Sequence, residues 1–258
     1  MEESQKADSE MEETVSRLSN LSREGEDGMV SIITCTMRPN YMNRIFRNYE
    51  RQSAKNKELI IILNRDSMDL AKWRKRAKNY QNVRVYQVPE KWKLGKCLNY
   101  GIRKAKHRLI AKFDDDDYYA PAYLKESLRA LAKKKASIVG KNASYVYFEE
   151  KKALMLYREG GEKKYRKRLK GGTLVFRKSV WEKVKFDERQ PNGSDQDFLR
   201  RCRKKGYRVY SVSKYNYVCI RRKNIRSHTQ KTKTREYMAR CKMIRRTRNF
   251  IPIITRNG

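Results

Sequence analysis

The stretch Arg108-Leu-Ile-Ala-Lys-Phe113, followed at once by Asp114-Asp-Asp-Asp117-Tyr-Tyr-Ala-Pro121, decides the fold of this chain. Leu109, Ile110 and Phe113 predict a short buried strand, and four consecutive carboxylates follow it. Such carboxylates repel one another, so a folded chain holds them together only where positive charge compensates. In α/β sheets, ligands bind at the carboxyl ends of strands, which is where this acidic run would lie.

The acidic run allows two interpretations. One is a solvated turn that caps a helix beginning at Pro121, because proline suits the first helical position. The other is a site for Mg²⁺ or Mn²⁺, cations that bind carboxylate oxygens and complete their shell with a phosphate-bearing ligand. We favour the cation site because the run directly follows an apolar strand in a strongly basic chain.

Charge is distributed unevenly along the 258 residues, which carry 64 Lys and Arg against 29 Asp and Glu, a net charge of +35. Residues 1–28 hold nine acidic and three basic side chains, a net charge of −6, so the rest of the chain carries +41. So large a surplus implies a polyanionic partner, which could be nucleic acid, an anionic membrane, an acidic glycan or nucleotide phosphates.

Cysteine and histidine usage excludes several classes of site. The five cysteines are scattered without a CxxC spacing, which argues against a disulfide framework and a structural zinc site. Only two histidines are present, so His-rich metal sites and most nucleophile–His arrangements are not expected. The acidic N-terminus does not look like a signal peptide, and no apolar run approaches the ~18 residues of a membrane span. We therefore expect a cytoplasmic protein.

Strands and helices alternate through the first half of the chain. Apolar runs predict the strands, and apolar residues at helical spacing predict the helices between them. The predicted strands cover residues 30–36, 58–63, 83–88 and 108–113, and the predicted helices cover residues 40–52, 70–80 and 94–105. This alternation predicts an α/β fold with a mostly parallel, Rossmann-like sheet flanked by helices.

The second half is more irregular. A helix after Pro121 is followed by short strands without helices between them, which predicts a mixed, antiparallel arrangement. These strands cover residues 137–139, 144–148, 153–157 and 173–177; a helix then opens at residue 194, and a further strand covers residues 207–212. We divide the chain into a disordered acidic tail (1–28), one domain (29–230, with halves 29–121 and 122–230) and a basic helical tail (231–258).

Five motifs in order resemble a family-2 glycosyltransferase with the GT-A fold, over about residues 29–230. They are Val30-Ser-Ile-Ile33, Gly95-Lys-Cys-Leu-Asn-Tyr-Gly-Ile102, the acidic run through Pro121, Gly171-Gly-Thr-Leu-Val-Phe-Arg177, and the stretch from Gly193-Ser-Asp-Gln-Asp197 to Val209. The resemblance implies metal-dependent, inverting transfer of a sugar from a nucleoside diphosphate, with UDP the expected nucleotide.

The resemblance assigns the donor site residue by residue. Asp114 and Asp116 match the outer members of the Asp-x-Asp motif, which holds the nucleotide ribose and the divalent metal, and Asp116 is the expected metal ligand. We group Asp115 with the nucleotide-binding residues, although the resemblance leaves its role open, as it does for Asp117. His228 falls where relatives often place a residue that closes over the diphosphate and is grouped with the metal ligands; an exposed tail histidine is the alternative.

Four further residues are expected near the nucleotide. Thr36 and Arg38 end the first strand, where the family's nucleotide pocket begins. Asn64 stands where many relatives carry an Asp that accepts the uracil N–H, and its amide oxygen can still accept. Asp66 is the nearest carboxylate, with a helix N-cap as the alternative.

Two lysines complete the expected nucleotide site. Lys93 and Lys96 lie where relatives often place a basic residue near the nucleotide. The alternative for each is a solvated helix face.

The resemblance places the catalytic base and acceptor site in the second half. Asp195 matches the carboxylate that takes the acceptor's proton, and Ser194 replaces the Glu that precedes it in relatives. Ser194 as helix N-cap, with acidic residues in the first turn, is a structural alternative that is compatible with the base role. Asp197 is a candidate acceptor ligand, and Gly171 and Gly172 would let the backbone approach the sugar or acceptor, or simply form a turn.

The expected acceptor is a hydroxyl of a cell-surface polysaccharide or another anionic or lipid-linked glycan. This implies peripheral contact with anionic lipid at the inner face of the membrane. Two alternatives remain open. The +41 charge and 17 tyrosines would suit a nucleic-acid-binding protein, although four adjacent carboxylates oppose a phosphate backbone and nucleic acid is not the expected partner. Ser194 and Asn64 would suit a catalytically degenerate GT-A binding module.

Overall fold

The computed structural model describes residues 29–224 and 232–257. The acidic segment 1–28 and His228 lie outside these described residues. The predictions made for them therefore stay predictions.

The described residues form two sheets. The strands are β1 (Val30–Thr36), β2 (Lys57–Leu63), β3 (Val83–Gln87), β4 (Leu109–Lys112), β5 (Tyr118–Tyr119), β6 (Ile138–Gly140), β7 (Ser144–Phe148), β8 (Ala153–Tyr157), β9 (Lys164–Tyr165), β10 (Val175–Arg177), β11 (Val209–Ser211), β12 (Tyr217–Arg221) and β13 (Cys241–Arg246). The main sheet has the order β3-β2-β1-β4-β10-β6-β11-β9, and the second sheet has the order β13-β8-β7-β12-β5. Strands β1 to β4 pair in parallel, whereas β10 runs antiparallel between β4 and β6.

Helices cover both faces of the main sheet. They are α1 (Met42–Glu50), α2 (Leu70–Ala77), α3 (Leu94–Lys104), α4 (Tyr123–Lys133), α5 (Lys178–Val184) and α6 (Ser194–Lys204), with the short α7 (Thr234–Met238) and α8 (Ile251–Ile254) near the C-terminus. Neighbouring residues of a buried strand point to opposite faces. Ile32 packs with α1, α2 and α4, and Ile33 packs with α3, α5 and α6. The predicted α/β fold, with a mostly parallel sheet and a mixed second half, is confirmed.

The motif at the start of α3 has a packing explanation. A Cβ on Gly95 would lie 2.0 Å from the Asp187 carbonyl oxygen, and a Cβ on Gly101 would lie 2.7 Å from Ile33 Cγ2. Asn99 is buried, and its Nδ2 donates to the Phe186 carbonyl at 2.9 Å. The motif therefore joins α3 to β1 on one side and to the segment leading to α6 on the other.

The tail beyond residue 231 differs from its prediction. Strand β13 pairs antiparallel with β8, from Cys241 opposite Tyr157 to Arg246 opposite Ala153. The predicted helical tail is wrong over β13 because the edge of β8 offers a pairing partner that composition does not reveal. Within the described residues, 29–224 and 232–257, no helix is both long enough and apolar enough to cross a bilayer.

Candidate active site

The carboxyl ends of β1 and β4 meet at one edge of the main sheet. Ile33 lies opposite Lys112 in the parallel register, so the residues after both strands continue beyond the same edge. The acidic run, residues 114–117, follows β4 there. This is the edge at which α/β sheets bind ligands.

Burial argues against one of the two interpretations of the acidic run. Asp115 and Asp117 have only 2% and 4% of their surface exposed, so the run is not a solvated turn. The helix that follows begins at Tyr123, two residues after Pro121. Buried carboxylates must be compensated by charge or by hydrogen-bond donors, and the neighbouring residues supply both.

Three residues predicted to contact the nucleotide bind one another. The Asp115 carboxylate accepts hydrogen bonds from Thr36 Oγ1 at 2.5 Å, Arg38 Nε at 3.0 Å and Arg38 Nη2 at 2.5 Å. Burial and the charge of Asp116 raise the pKa of Asp115 to about 6, against the opposing effects of Arg38 and Thr36. This cluster fixes the acidic run to the end of β1.

Arginines gather around Asp116. Its carboxylate lies 3.1 Å from Arg38 Nη1 and 2.7 Å from Arg222 Nη1, and its carbonyl oxygen accepts from Arg44 Nη1 at 2.6 Å. The three guanidinium carbons lie 4.9–5.5 Å from the centre of the Tyr41 ring. Sequence reasoning missed Arg44 and Arg222 because in a strongly basic chain no local pattern distinguishes them from other surface cations.

Asp117 has a structural role that the resemblance left open. Its carboxylate accepts hydrogen bonds from the Tyr217 hydroxyl and from the Ile220 N–H at 3.0 Å, and its carbonyl oxygen accepts from Asn48 Nδ2 at 2.9 Å. Burial, with the charges of Asp116 and Asp114, raises the pKa of Asp117 to about 7. Asp117 thus joins the acidic run to β12 of the second sheet.

A buried lysine links the predicted donor site to the predicted base. The side chain of Lys112 is 4% exposed, and its Nζ lies 2.6 Å from Asp114 Oδ1 and 3.3 Å from Asp195 Oδ2. Burial alone would lower the pKa of Lys112, but the two carboxylates raise it above its ordinary value, so the ammonium group stays charged. Sequence reasoning missed Lys112 because a lysine within an apolar strand pattern gives no sign of carboxylates folded over it.

Asp195 has one carboxylate oxygen on Lys112 and one without a partner. Asp195 Oδ1 is buried and accepts no hydrogen bond among the described residues. Burial raises the pKa of Asp195 above its ordinary value; Asp114 acts in the same direction and Lys112 opposes them. Ser194 is not the N-cap: that position belongs to Gly193, whose φ of 76° lies in the left-handed region.

The glycine pair packs against both carboxylates. A Cβ on Gly171 would lie 2.0 Å from Asp195 Oδ2, and a Cβ on Gly172 would lie 2.5 Å from Asp114 Oδ2. The Tyr119 hydroxyl donates to the Gly172 carbonyl at 2.6 Å and accepts from the Asp114 N–H at 2.7 Å. The pair forms a short turn before β10, as one alternative expected, and any side chain there would displace the carboxylates.

Asn64 and Asp66 lie in the segment that follows β2. Asn64 Nδ2 donates to the Pro89 carbonyl at 2.8 Å, and Asp66 Oδ1 accepts from the Glu90 N–H at 3.1 Å. Asp66 is not the N-cap of α2; Asp69 is, accepting from the Lys72 N–H at 2.9 Å. The polar turn after β2 is therefore held against the chain after β3.

The remaining predicted residues bind within their own segments. Lys93 is exposed just before α3, and Lys96 Nζ lies 4.4 Å from the centre of the Trp92 ring. Asp197 is paired with Arg201 at 2.7 Å and with Arg200 at 2.5 Å. Their nucleotide or acceptor roles stay predictions.

The carboxylates of the acidic run can be compared with what a Mg²⁺ or Mn²⁺ site requires. Within residues 29–224 and 232–257, no three His, Cys, Asp or Glu side chains converge as a cation site. Asp114 is paired with Lys112, and Asp116 with two arginines. Mg²⁺ in nucleotide sites takes one or two carboxylates, with phosphate oxygens and water completing the shell, and Mn²⁺ favours the same ligand types. Asp116 and Asp114 therefore fit a cation that arrives with a diphosphate, and not one held by protein ligands alone.

The family model described as "Glycosyl transferase family 2" matches residues 31–216, which include β1, the acidic run, the glycine pair and Asp195. The chain belongs to this family. No curated protein sequence matches the chain. The family membership confirms the resemblance drawn from the five motifs.

Solved structures with a similar fold include S. aureus TarS and the mannosyltransferase PcManGT. S. aureus TarS (residues 1–349) has a TM-score of 0.58 and 15% identity, covering 74% of this chain and 60% of that one. The same protein in complex with UDP-GlcNAc has a TM-score of 0.57 and 15% identity, with 76% and 59% covered. The mannosyltransferase PcManGT from Pyrobaculum calidifontis, in complex with GDP-Man and Mn²⁺, has a TM-score of 0.58 and 14% identity, with 81% and 59% covered. This chain spans about three fifths of their length, and at these identities the likeness shows the fold.

Proposed function

We propose that this chain is a metal-dependent glycosyltransferase that moves a sugar from a nucleoside diphosphate to an acceptor hydroxyl, with Asp195 as the base. The observation that carries the proposal is the buried, unpartnered Asp195 Oδ1. A buried carboxylate oxygen without a donor is costly in a native fold. An acceptor hydroxyl would supply the missing donor and would lose its proton to the same atom.

The chemistry needs a base on one side and a leaving group on the other. Asp195 takes the hydroxyl proton while the acceptor oxygen forms a bond to the anomeric carbon. The bond from that carbon to the diphosphate breaks, and the diphosphate leaves with the electron pair. A direct displacement of this kind inverts the anomeric carbon. Lys112 favours the ionised form of Asp195, because its charge opposes the rise in the pKa of that carboxyl group, and it holds the other oxygen in place.

The donor half of the proposal rests on the edge of the main sheet. Thr36, Arg38, Asp114 and Asp115 would bind the nucleotide there. Asp116 and Asp114, with His228 as a further candidate, would hold Mn²⁺ or Mg²⁺. The metal would supply positive charge to the leaving diphosphate. PcManGT, of similar fold, was solved with Mn²⁺, which supports a metal-dependent reaction.

The nucleotide and the class of the transferred sugar form the next part of the proposal. TarS was solved with UDP-GlcNAc and PcManGT with GDP-Man, so one fold accommodates different bases and sugars. We propose UDP because the Asn64 amide oxygen can accept the uracil N–H. The transferred group would be a hexose or an N-acetylhexosamine. Asp66, Lys93 and Lys96 would complete the nucleotide site.

The acceptor is proposed to be anionic. The +41 charge outside residues 1–28 favours a phosphorylated, acidic or lipid-linked glycan, reached from the cytoplasmic face of a membrane. Gly171 and Gly172 would let the acceptor approach the two carboxylates closely. Asp197, at the start of α6, would contact the acceptor beyond its hydroxyl.

Thermal unfolding with a panel of UDP- and GDP-sugars, each with Mn²⁺, tests the donor site. A ligand that binds only the native state raises the melting temperature. We expect at least one nucleotide-sugar to raise it, and Asp116→Asn to abolish the metal-dependent part of the rise. Glu159→Gln removes one exposed carboxylate elsewhere and is the matched control. If no nucleotide-sugar stabilises the wild-type chain, the proposed donor site is wrong.

A further inference from the structure

Exposed apolar side chains are concentrated near the C-terminus. Among the described residues, the exposed large hydrophobic side chains are Met29, Met37, Tyr165, Met243, Ile244 and Ile251. Three of these six lie between the start of β13 and the start of α8. We call residues 240–252 the C-terminal rim. Since exposed apolar residues scattered singly need no explanation, it is their concentration here that indicates a binding surface.

The C-terminal rim is also strongly basic. Its five charged side chains are all cations and all exposed: Arg240, Lys242, Arg245, Arg246 and Arg248. Lys242 is paired at 2.9 Å with Glu159, which lies in the turn after β8. The rim therefore presents cations and apolar side chains together along one short segment.

The rim is anchored to the second sheet. The Phe250 ring lies 4.9 Å from the Tyr147 ring and 5.5 Å from the Tyr118 ring, and Ile254 is fully buried. Tyr147 also donates to the Thr247 carbonyl at 2.9 Å. Ile251 is therefore 43% exposed although the segment that carries it is packed against the second sheet.

A second copy of the chain is a poor occupant for this surface. Among the described residues, strand β13 is the edge of the second sheet and pairs only with β8, and its register shifts between Met243 and Arg245. Bulges and charged side chains are the means by which natural edge strands prevent addition of another strand. Two rims of five cations would also repel each other.

A soluble polyanion accounts for only half of the surface. It would pair with the cations and leave Met243, Ile244 and Ile251 in water. An anionic bilayer accounts for both halves, because its headgroups attract Lys and Arg while apolar side chains enter the interface.

We infer that the C-terminal rim docks this protein on an anionic lipid surface, with its arginines at the headgroups and Met243, Ile244 and Ile251 at the acyl boundary. This role goes beyond the proposed sugar transfer and does not depend on it. A chain with no transferase activity would still bind lipid through the rim.

Vesicle flotation with the full chain tests the rim. Phosphatidylcholine vesicles with and without phosphatidylglycerol are compared, and we expect binding to require phosphatidylglycerol. Arg245→Gln with Arg246→Gln should weaken binding about tenfold or more, since each cation near an anionic surface contributes about fivefold. Lys75→Gln with Lys78→Gln removes two exposed cations, one from α2 and one from the residue after it. This control should lower the logarithm of the vesicle-binding constant by less than half as much.

An apolar pair of variants separates lipid from other polyanions. Ile244→Ser should weaken vesicle binding severalfold, whereas Met29→Ser, at a more exposed residue, should not. Unchanged thermal unfolding of each variant shows that it is folded. The inference is overturned if the wild-type chain ignores phosphatidylglycerol, or if Ile244→Ser binds vesicles as well as the wild type. It is also overturned if soluble polyglutamate competes fully with vesicles and Ile244→Ser changes neither interaction.

Discussion

One ammonium group links the residues assigned to donor and acceptor. Lys112 Nζ contacts Asp114 and Asp195, which come from segments about 80 residues apart. Without it, two nearby carboxylates would repel each other in a buried site, and the base would favour its protonated form. The reactivity of Asp195 therefore depends on Lys112.

Replacing Lys112 tests this dependence. Lys112→Met keeps the side-chain volume but removes the charge, and we expect kcat for turnover of a nucleotide-sugar to fall about 100-fold or more. Lys112→Arg, which keeps the charge, should recover part of the loss. The measurement is kcat and KM separately, because loss of a positioned base lowers kcat more than it raises KM.

A second buried lysine provides the control. Lys141 is fully buried and paired with Glu126 at 3.3 Å. Lys141→Met should therefore destabilise the fold and leave kcat of the folded protein near that of the wild type. Wild-type kcat in Lys112→Met would contradict the role given to Lys112.

Asp117 makes a prediction about pH. Burial and the neighbouring aspartates raise its pKa to about 7 in the folded state, whereas an unfolded Asp titrates near 4. The folded state thus binds the proton more tightly, and the free energy of unfolding decreases as pH rises from about 4 to about 7. Asp115, with a pKa of about 6, acts in the same direction. We expect a higher melting temperature at pH 5 than at pH 7 without metal.

The control for this effect is Asp117→Asn, which cannot ionise and should flatten the pH dependence. The paired acids Glu58, Glu162 and Asp197 have lowered pKa values, so their stabilisation is lost only below about pH 4.5 and does not interfere. A wild-type melting temperature that falls steadily from pH 7 to pH 5 would refute the assignment.

Among single residues, sequence reasoning recovered those that stand in local motifs. Asp114 and Asp116 follow the end of a recognisable strand, and Asp195 lies at the start of a recognisable helix. The structure brings Asp114 and Asp195 together on Lys112. Lys112 and Arg222 could not be recognised because their roles depend on partners far away in the chain. A basic composition hides them further, since most of its cations are solvated.

At the scale of elements, α3 positions the helix that carries Asp195. Asn99 accepts from Trp181 Nε1 at 2.8 Å and from the Phe186 N–H at 3.0 Å, and it donates to Glu188 at 3.0 Å. These residues lie in α5 and in the segment that leads to α6. A single amide thus joins the donor half of the fold to the segment before the base.

Asn99→Ala should lower the free energy of unfolding by about 3 kcal/mol, because it leaves two buried N–H groups without an acceptor. Urea unfolding measures the change. Asn79→Ala, at an exposed position after α2, should change it by less than about 0.5 kcal/mol. Equal effects of the two substitutions would contradict the role of Asn99 in joining α3 to the segment before α6.

Elements were predicted well where periodicity and length agree. The parallel strands and α1 to α4 lie within a few residues of their predicted bounds. Strand β13 was missed because six residues with three cations resemble a solvated tail, and only the neighbouring β8 edge makes them a strand. The N-cap of α2 is Asp69 and not Asp66, the alternative considered from the sequence, because two nearby carboxylates offer the same local signal.

At the scale of the whole molecule, the two halves of the chain meet at one edge of the main sheet. The parallel half brings Thr36 and the acidic run there, and the antiparallel β10 brings the glycine pair back to the same edge. Arginines from α1 and from the residue after β12 then surround Asp116. Several cations are thereby gathered where a diphosphate would bind, which composition alone could not locate.

Turnover by Asp195→Asn tests the central claim most directly. With a nucleotide-sugar that stabilises the wild-type chain in Mn²⁺, hydrolysis is measured for both proteins at saturating donor: water takes the sugar, and the nucleoside diphosphate is released. We predict that Asp195→Asn binds the donor as the wild type does and releases product about 10²–10⁴-fold more slowly. Release at the wild-type rate by Asp195→Asn would contradict it.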